Sequence, residues 1–198
     1  MKDTILIDQE TGKKYKLMEI QENNKFAFVV GHTEKDKGAY SEKLGISEYD
    51  LFKNFATGFL SEVGETFTHD KDISSYTQRQ ANTAQKTAEF QYSFELHFNA
   101  ASPKAKGAEA LYYYKNENAR IIAEKYCELM VQEMGIKSRG PKPLNDGDRG
   151  FGFVQKQKPT ALILEPFFGS NIEDCQKFDM VKYRDVIFKL LEFINETL

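Results

Sequence analysis

Residues Thr160 to Asp174, TALILEPFFGSNIED, constrain what this chain can fold into more than any other stretch. Ala161 to Leu164 are strand formers, apolar at every position, which is the pattern of a strand buried on both faces of a sheet. Glu165 follows, and Pro166 after it lacks the N–H that a further ladder bond would need. A carboxylate is thereby set at the carboxyl end of a central strand, where open α/β sheets bind their ligands. Two other strand-like runs end on histidine. Phe26 to Val30 leads through Gly31 into His32, and Tyr92 to Leu96 leads into His97. If the three strands are parallel neighbours, His32, His97 and Glu165 meet at one edge.

The remaining chain reads as the elements that would cover such a sheet. Residues 1 to 24 suggest an added β-hairpin, with Ile5 and Ile7 alternating, a turn at Gly12 and a return through Tyr15, Leu17 and Met18. A polar loop, Thr33 to Gly45, precedes a helix closed by Gly64 whose apolar stripe is Phe52, Phe55, Ala56 and Phe59. Glu48 lies four residues before Phe52 on that face. It is either a buried carboxylate that needs a partner or a first-turn glutamate facing water. Glu65 to Thr68 reads as a short strand, with His69 a surface residue of the loop after it. Ser74 or Ser75 caps a helix through Arg79, Asn82 and Ala88. In the strand from Tyr92, strict alternation puts Ser93, Glu95, His97 and Asn99 on one face. Ala108 to Tyr114 is a strand, and a helix starts at Asn116 or Asn118 and ends at Gly135. Ser138 to Gly152, rich in Gly, Pro, Asp and Asn, reads as a long rim loop. Short and long helices close the chain, over Asn171 to Lys177 and Met180 to Leu198.

Bulk properties exclude several classes. With 198 residues the chain can bury a sizeable core, and a net charge of −3 without a basic run gives no footprint for nucleic acid. No run approaches the ~20 apolar residues of a membrane span, and the N-terminal apolar run is too short for a signal peptide. The expectation is a chain made in the cytoplasm that acts elsewhere only after release by another route. Cys127 and Cys175 have no CxxC partners and read as reduced thiols.

Two imidazoles and a carboxylate from separate segments make a common catalytic zinc set, with the fourth position open to water. His32, Glu48 and His97 are candidate ligands, and Glu165 is a candidate base that takes the proton of that water and passes it to a leaving amine. HExxH, GxSxG, Walker and GxGxxG motifs are all absent from the sequence.

The same residues resemble the zinc-dependent N-acetylmuramoyl-L-alanine amidases of the amidase_3 type, from about Phe26 to the C-terminus. Gly31-His32 with Asp36, Gly38 and Ala39 is similar to the family's GHxxxDxGA motif. Glu48 matches its helix-borne glutamate, and Arg79 to Asn82 its R..AN segment. Glu95-Leu-His97-Phe-Asn99-Ala100 resembles S(I/L)HxNA. Gly107 to Tyr113 and the Arg139-Gly140 pair also fit, as does the closing motif from Pro159 through Glu165, Phe168 and Asn171 to Asp174. The resemblance implies an open, mostly parallel twisted α/β sheet with helices on both faces, spanning 25 to 198 behind a hairpin extension. It implies zinc on His32, Glu48 and His97, Glu165 as the catalytic carboxylate, and Asn99 and Arg139 as substrate-binding residues. The implied reaction is cleavage of the amide between N-acetylmuramic acid and the L-Ala of the stem peptide, with peptidoglycan as the partner and a monomer as the working form.

Three departures from the family's pattern stand out. Val29-Val30 replaces its Asp-Pro, Glu95 replaces its serine, and its inhibitory helix and wall-binding domain have no counterpart. The ELHxN and EPFF variants look more like those of bacteriophage endolysins. Glu95 shares a face with His97 and is either an outer partner for its second ring nitrogen or the partner of a surface lysine. The alternatives are a zinc carboxypeptidase-like peptidase, which would cut within a peptide, and a non-catalytic wall-binding protein.

Overall fold

The computed structural model of the protein describes residues 5–7, 14–16, 25–157 and 159–198. Six segments form the central sheet: β3 (Phe26–Val30), β6 (Glu65–Thr68), β7 (Tyr92–Leu96), β8 (Ala108–Tyr113), β9 (Ser138–Leu144) and β10 (Thr160–Glu165). Their spatial order is β6-β3-β7-β10-β8-β9. The first four are mutually parallel, β8 runs antiparallel to β10, and β9 is parallel to β8. The three strands singled out from sequence are therefore adjacent and point the same way. Their register is tight, with Val30 opposite Leu96 and Leu96 opposite Leu164. Pairing continues past the strands. Gly31 N donates to Leu96 O at 3.0 Å and His97 N to Leu164 O at 3.1 Å, which brings His32, His97 and Glu165 to the carboxyl edge.

Strand alternation divides the core into two layers. Phe28, Val30, Phe94, Leu96, Leu162 and Leu164 face the larger layer. Above them pack α1 (Glu48–Phe55), α3 (Glu117–Met134) and α6 (Met180–Thr197), which contribute Phe52, Phe55, Tyr126, Met130, Tyr183 and Ile187. Val29, Ala161 and Ile163 face a smaller layer with Phe153 and Val154 of α4 (Phe151–Lys156). The helix α2 (Tyr76–Lys86) packs on α4 there. Helices thus cover both faces of a mostly parallel sheet.

Local signals set the boundaries. Ser47 caps α1 by accepting from Asp50 N, Asn116 caps α3 by accepting from Ala119 N, and Gly135 ends α3 at φ 63°. The helix after Ile46 is α-helical only to Phe55 and finishes as a π-helical turn, Ala56–Leu60. Within the loop before it, β4 (Tyr40–Ser41) and β5 (Ile46–Ser47) pair antiparallel. After β10 comes the short α5 (Ile172–Lys177), capped by Asn171.

One stretch differs from the sequence reading. Ser138 to Gly152 is not a rim loop, because Ser138–Leu144 is the edge strand β9 and Phe151 opens α4. Pro141 and Pro143 disguise the strand in the sequence, since a proline lacks a donor, yet an edge strand tolerates one where its nitrogen faces away from the sheet. At the N-terminus, β1 (Ile5–Ile7) and β2 (Lys14–Lys16) pair antiparallel with Leu6 opposite Tyr15. The turn at Gly12 and the return through Leu17 and Met18 lie outside the described residues.

Candidate metal centre and cleft

His32, Glu48 and His97 come together although they are distant in sequence, and each offers a ligand atom within 4.8 Å of the others. His32 follows β3 with a left-handed backbone, φ 66°. Such a conformation costs on the order of 1–3 kcal/mol for a non-glycine residue and persists where the surroundings impose it. Glu48 opens α1 and is 4% exposed, so the buried reading of this carboxylate is the correct one. Its backbone N donates to Ala39 O at 2.8 Å, and its Oε2 accepts from Ala39 N at 3.2 Å. Oε1 accepts from Phe98 N at 3.2 Å and lies 2.6 Å from His97 Nδ1. His32 Nε2 stands 3.1 Å from Glu48 Oε2, but no hydrogen bond forms to this buried nitrogen.

Electrostatics reinforce the cluster. Burial pushes the Glu48 carboxyl up, but the imidazoles of His32 and His97 outweigh it and hold the group at about 2. Burial pushes His97 down, and Glu48 and Glu95 on its two nitrogens raise it to about 10. The chain has a packed N, O, N donor set with one nitrogen left unsatisfied, and a cation is what satisfies all three. Gly38, at φ +71°, keeps the space open. A Cβ there would lie 2.5 Å from His32 Nε2 and 2.7 Å from Glu48 Oε2. The residues therefore fit a zinc ion.

A second carboxylate group borders this set. Glu165 lies directly opposite Glu109 in the β10–β8 register. Asn99 Nδ2 donates to Glu109 Oε1 at 2.5 Å and also to Glu165 Oε2. Burial first, then the neighbouring Glu109, pushes the Glu165 carboxyl up to about 8, against a downward pull from His97. Arg139 meets the cleft through Glu109. Its Nε donates to Glu109 Oε2 at 2.7 Å and its guanidinium stacks 5.0 Å from the Phe168 ring centre. The β8–β9 pairing turns Arg139 toward Glu109, a geometry that the loop reading of this segment could not supply.

Among the described residues Glu95 pairs with no lysine. It is buried at 3% exposure, accepts from His69 Nε2 at 2.6 Å, and lies 3.4 Å from His97 Nε2. Burial opposes its charge, but His69 and His97 hold its carboxyl well below the usual range. His69 is accordingly not a surface loop residue: it is 6% exposed, and its Nδ1 meets Thr83 Oγ1 at 2.9 Å. The sequence carried a signal for this, because period-two alternation from Phe67 sends His69 to the same face. Nothing comparable marked Glu109, whose role depends on which strand lies beside it.

One cleft of about 640 Å³ is lined by His32, Glu48, His97, Asn99, Glu109 and Glu165 together with Tyr76, Arg79 and Arg149. Other motif residues serve the framework. Asp174 accepts from Gly107 N at 2.7 Å and Phe168 N at 3.0 Å, which fixes the segment that leaves Glu165.

Comparison with known proteins bears on the family and the fold. The profile of Amidase_3, N-acetylmuramoyl-L-alanine amidase, matches residues 27–193. Among curated proteins no sequence matches. The fold is similar to that of the catalytic domain of CD27L, an endolysin targeting Clostridia difficile, at 23% identity and TM-score 0.69, covering 85% of this chain and 96% of that one. It is also similar to an N-acetylmuramoyl-L-alanine amidase from Clostridium difficile 630, at 19% identity and TM-score 0.70, covering 89% and 100%. The catalytic domain of CwlV, an N-acetylmuramoyl-L-alanine amidase from Bacillus (Paenibacillus) polymyxa, aligns at 19% identity and TM-score 0.64, covering 85% and 98%.

Proposed function

The chain belongs to the N-acetylmuramoyl-L-alanine amidase family, and we propose that His32, Glu48 and His97 hold a zinc ion at its active centre while Glu165 moves the proton. The reaction is hydrolysis of the peptidoglycan amide between N-acetylmuramic acid and the L-Ala of the stem peptide. The observation that carries the zinc reading is the closeness of three ligand atoms around His32 Nε2, a buried nitrogen without a hydrogen bond. Zinc supplies there a water of pKa ~7 and a Lewis acid for the amide carbonyl.

The chain's own groups do the rest. Glu165 receives the proton that the attacking water loses and returns it to the L-Ala nitrogen as the C–N bond breaks. Burial and Glu109 move this carboxyl up from the ordinary carboxylate range toward neutral pH, and the positive charge of a bound zinc would pull it back down, into the region where a proton can be both taken and returned. Asn99 donates to Glu165 and holds it in place, and Arg139 acts behind it by fixing Glu109. Residues 25 to 198 are read as the catalytic unit, active as a monomer and carrying 1 to 24 as an extension. No described helix is long and apolar enough to cross a membrane, and the wall is the expected place of action after release.

Mass spectrometry of muropeptides after digestion of purified wall is the direct test. Free stem peptides beginning with L-Ala are expected, and they should disappear with a chelator. Elemental analysis should find about one zinc per chain. Glu165→Gln should keep the metal and lose ~10²-fold or more in kcat, whereas Glu48→Gln and His97→Ala should lose the metal. Full zinc occupancy in His97→Ala would strike His97 from the ligand set, and products cut within the peptide would favour a peptidase.

A further inference from the structure

We infer that His69 is a positioning residue for His97, acting through Glu95, and that His97 consequently offers Nδ1 rather than Nε2 to the metal. This rests on the reading of His97 as a ligand. Both nitrogens of His69 are engaged, Nε2 at 2.6 Å from Glu95 Oε1 and Nδ1 at 2.9 Å from Thr83 Oγ1. Its ring is therefore fixed from two elements, α2 through Thr83 and β7 through Glu95. Glu95 lies two residues before His97 and so shares its side of the sheet. Its second oxygen, Oε2, stands 3.4 Å from His97 Nε2. Gln80 Nε2, also from α2, approaches Glu95 Oε1 at 3.5 Å.

The geometry dictates the tautomer. A buried carboxylate is tolerated only when paired, and the polar contacts to Glu95 among the described residues are nitrogens, of His69, His97 and Gln80. An ionised carboxylate accepts and never donates. The nitrogens that face it, His69 Nε2 and His97 Nε2, must then carry hydrogens. His97 Nδ1 faces a second carboxylate, Glu48 Oε1 at 2.6 Å, and carries a hydrogen too while the site is metal-free. Glu48 is itself a proposed ligand, so an ion between the two would replace the Nδ1 hydrogen, whereas nothing replaces the one that faces Glu95. The partner of a ligand's second nitrogen fixes its orientation, and losing that partner costs about 10–100-fold in metal affinity. His69 sets that partner. Without it Glu95 keeps only a long contact to Gln80 opposite His97 and is free to rotate away.

The test uses zinc-loaded protein and long-range proton–nitrogen NMR of the imidazoles. The sequence holds 3 histidines, so His69 variants assign the spectrum. His97 should show a protonated Nε2 and a metal-shifted Nδ1. His69→Phe, which keeps an aromatic ring but has no donor, should weaken zinc binding by ~10-fold or more and broaden or exchange the His97 pattern. His69→Gln, which restores an N–H toward Glu95, should recover most of the affinity. A metal-shifted Nε2 in the parent protein would overturn the inference and leave His97 a ligand. Unchanged zinc affinity and unchanged His97 signals in a folded His69→Phe would overturn it too. If neither His97 nitrogen responds to zinc, the zinc-site reading falls together with the inference. Should His69→Phe not fold, the parent spectrum and the milder Thr83→Val, expected to weaken zinc less, still decide the matter.

Discussion

At the scale of single residues, Glu165 and Glu109 show how one carboxylate is tuned by another. Burial raises Glu165 to about 8, well above its ordinary 4.5. The folded chain therefore binds this proton more tightly than the unfolded chain does. The stability it lends is complete below about pH 4.5 and is lost as the pH rises toward 8. Glu165→Gln carries no charge to bury. In chelator-treated protein, urea melts should give the variant and its parent similar stability near pH 4.5, with the variant increasingly ahead by pH 8.5. A difference independent of pH would show that burial of this charge is not what shifts it. The convergence of His32, His97 and Glu165 on one sheet edge was legible in the sequence because each ends a strand with a clear pattern, whereas Glu48 could be read as buried or as facing water until the fold placed it. The contacts among Glu109, Arg139 and Glu165 were not legible, because they come from a cross-strand register that no local pattern records.

At the scale of elements, the loop that delivers His32 to α1 is built around a glycine that does two things. Gly38 adopts φ +71° and also leaves the volume a Cβ would take from His32 and Glu48. Gly135 has a similar φ of +63° with open space around it. The two substitutions should therefore separate strain from crowding. Gly135→Ala should cost about 1–2 kcal/mol of stability and leave zinc affinity alone. Gly38→Ala should cost at least as much and also lower zinc affinity by ~10-fold or more, read by competition with a chelating dye. Equal zinc affinity in both variants would mean that the loop yields and the space is dispensable. Elements with caps and periodicity, such as α3 between Asn116 and Gly135, could be read almost to the residue. The strand β9 could not, since Pro141 and Pro143 hide it, and neither could α4, which opens at Gly150 without a side-chain cap.

At the scale of the whole molecule, the proposed zinc ligands come from the end of β3, the start of α1 and the end of β7, so one ion would join three elements that are separated along the chain by β4, β5, β6 and α2. Binding to the folded state alone raises stability with metal concentration. Thermal melts should move up by several degrees on adding zinc to metal-free protein, and Glu48→Gln should cancel that rise. The two prolines of β9 have a consequence of another kind. Sheet margins invite a neighbouring chain to add its own strand. Pro141 and Pro143 sit two residues apart on the outermost strand, so the same side of that margin lacks both donors. The opposite margin, β6, is four residues long and begins with the exposed Glu65. The fold thus carries its own protection against templated self-association, useful to an enzyme that must stay dispersed while it crowds onto an insoluble substrate. Pro141→Thr with Pro143→Thr restores two outward N–H groups. Concentrated solutions of that variant should scatter light progressively while the parent stays clear, and equal clarity would assign the protection to some other part of the surface.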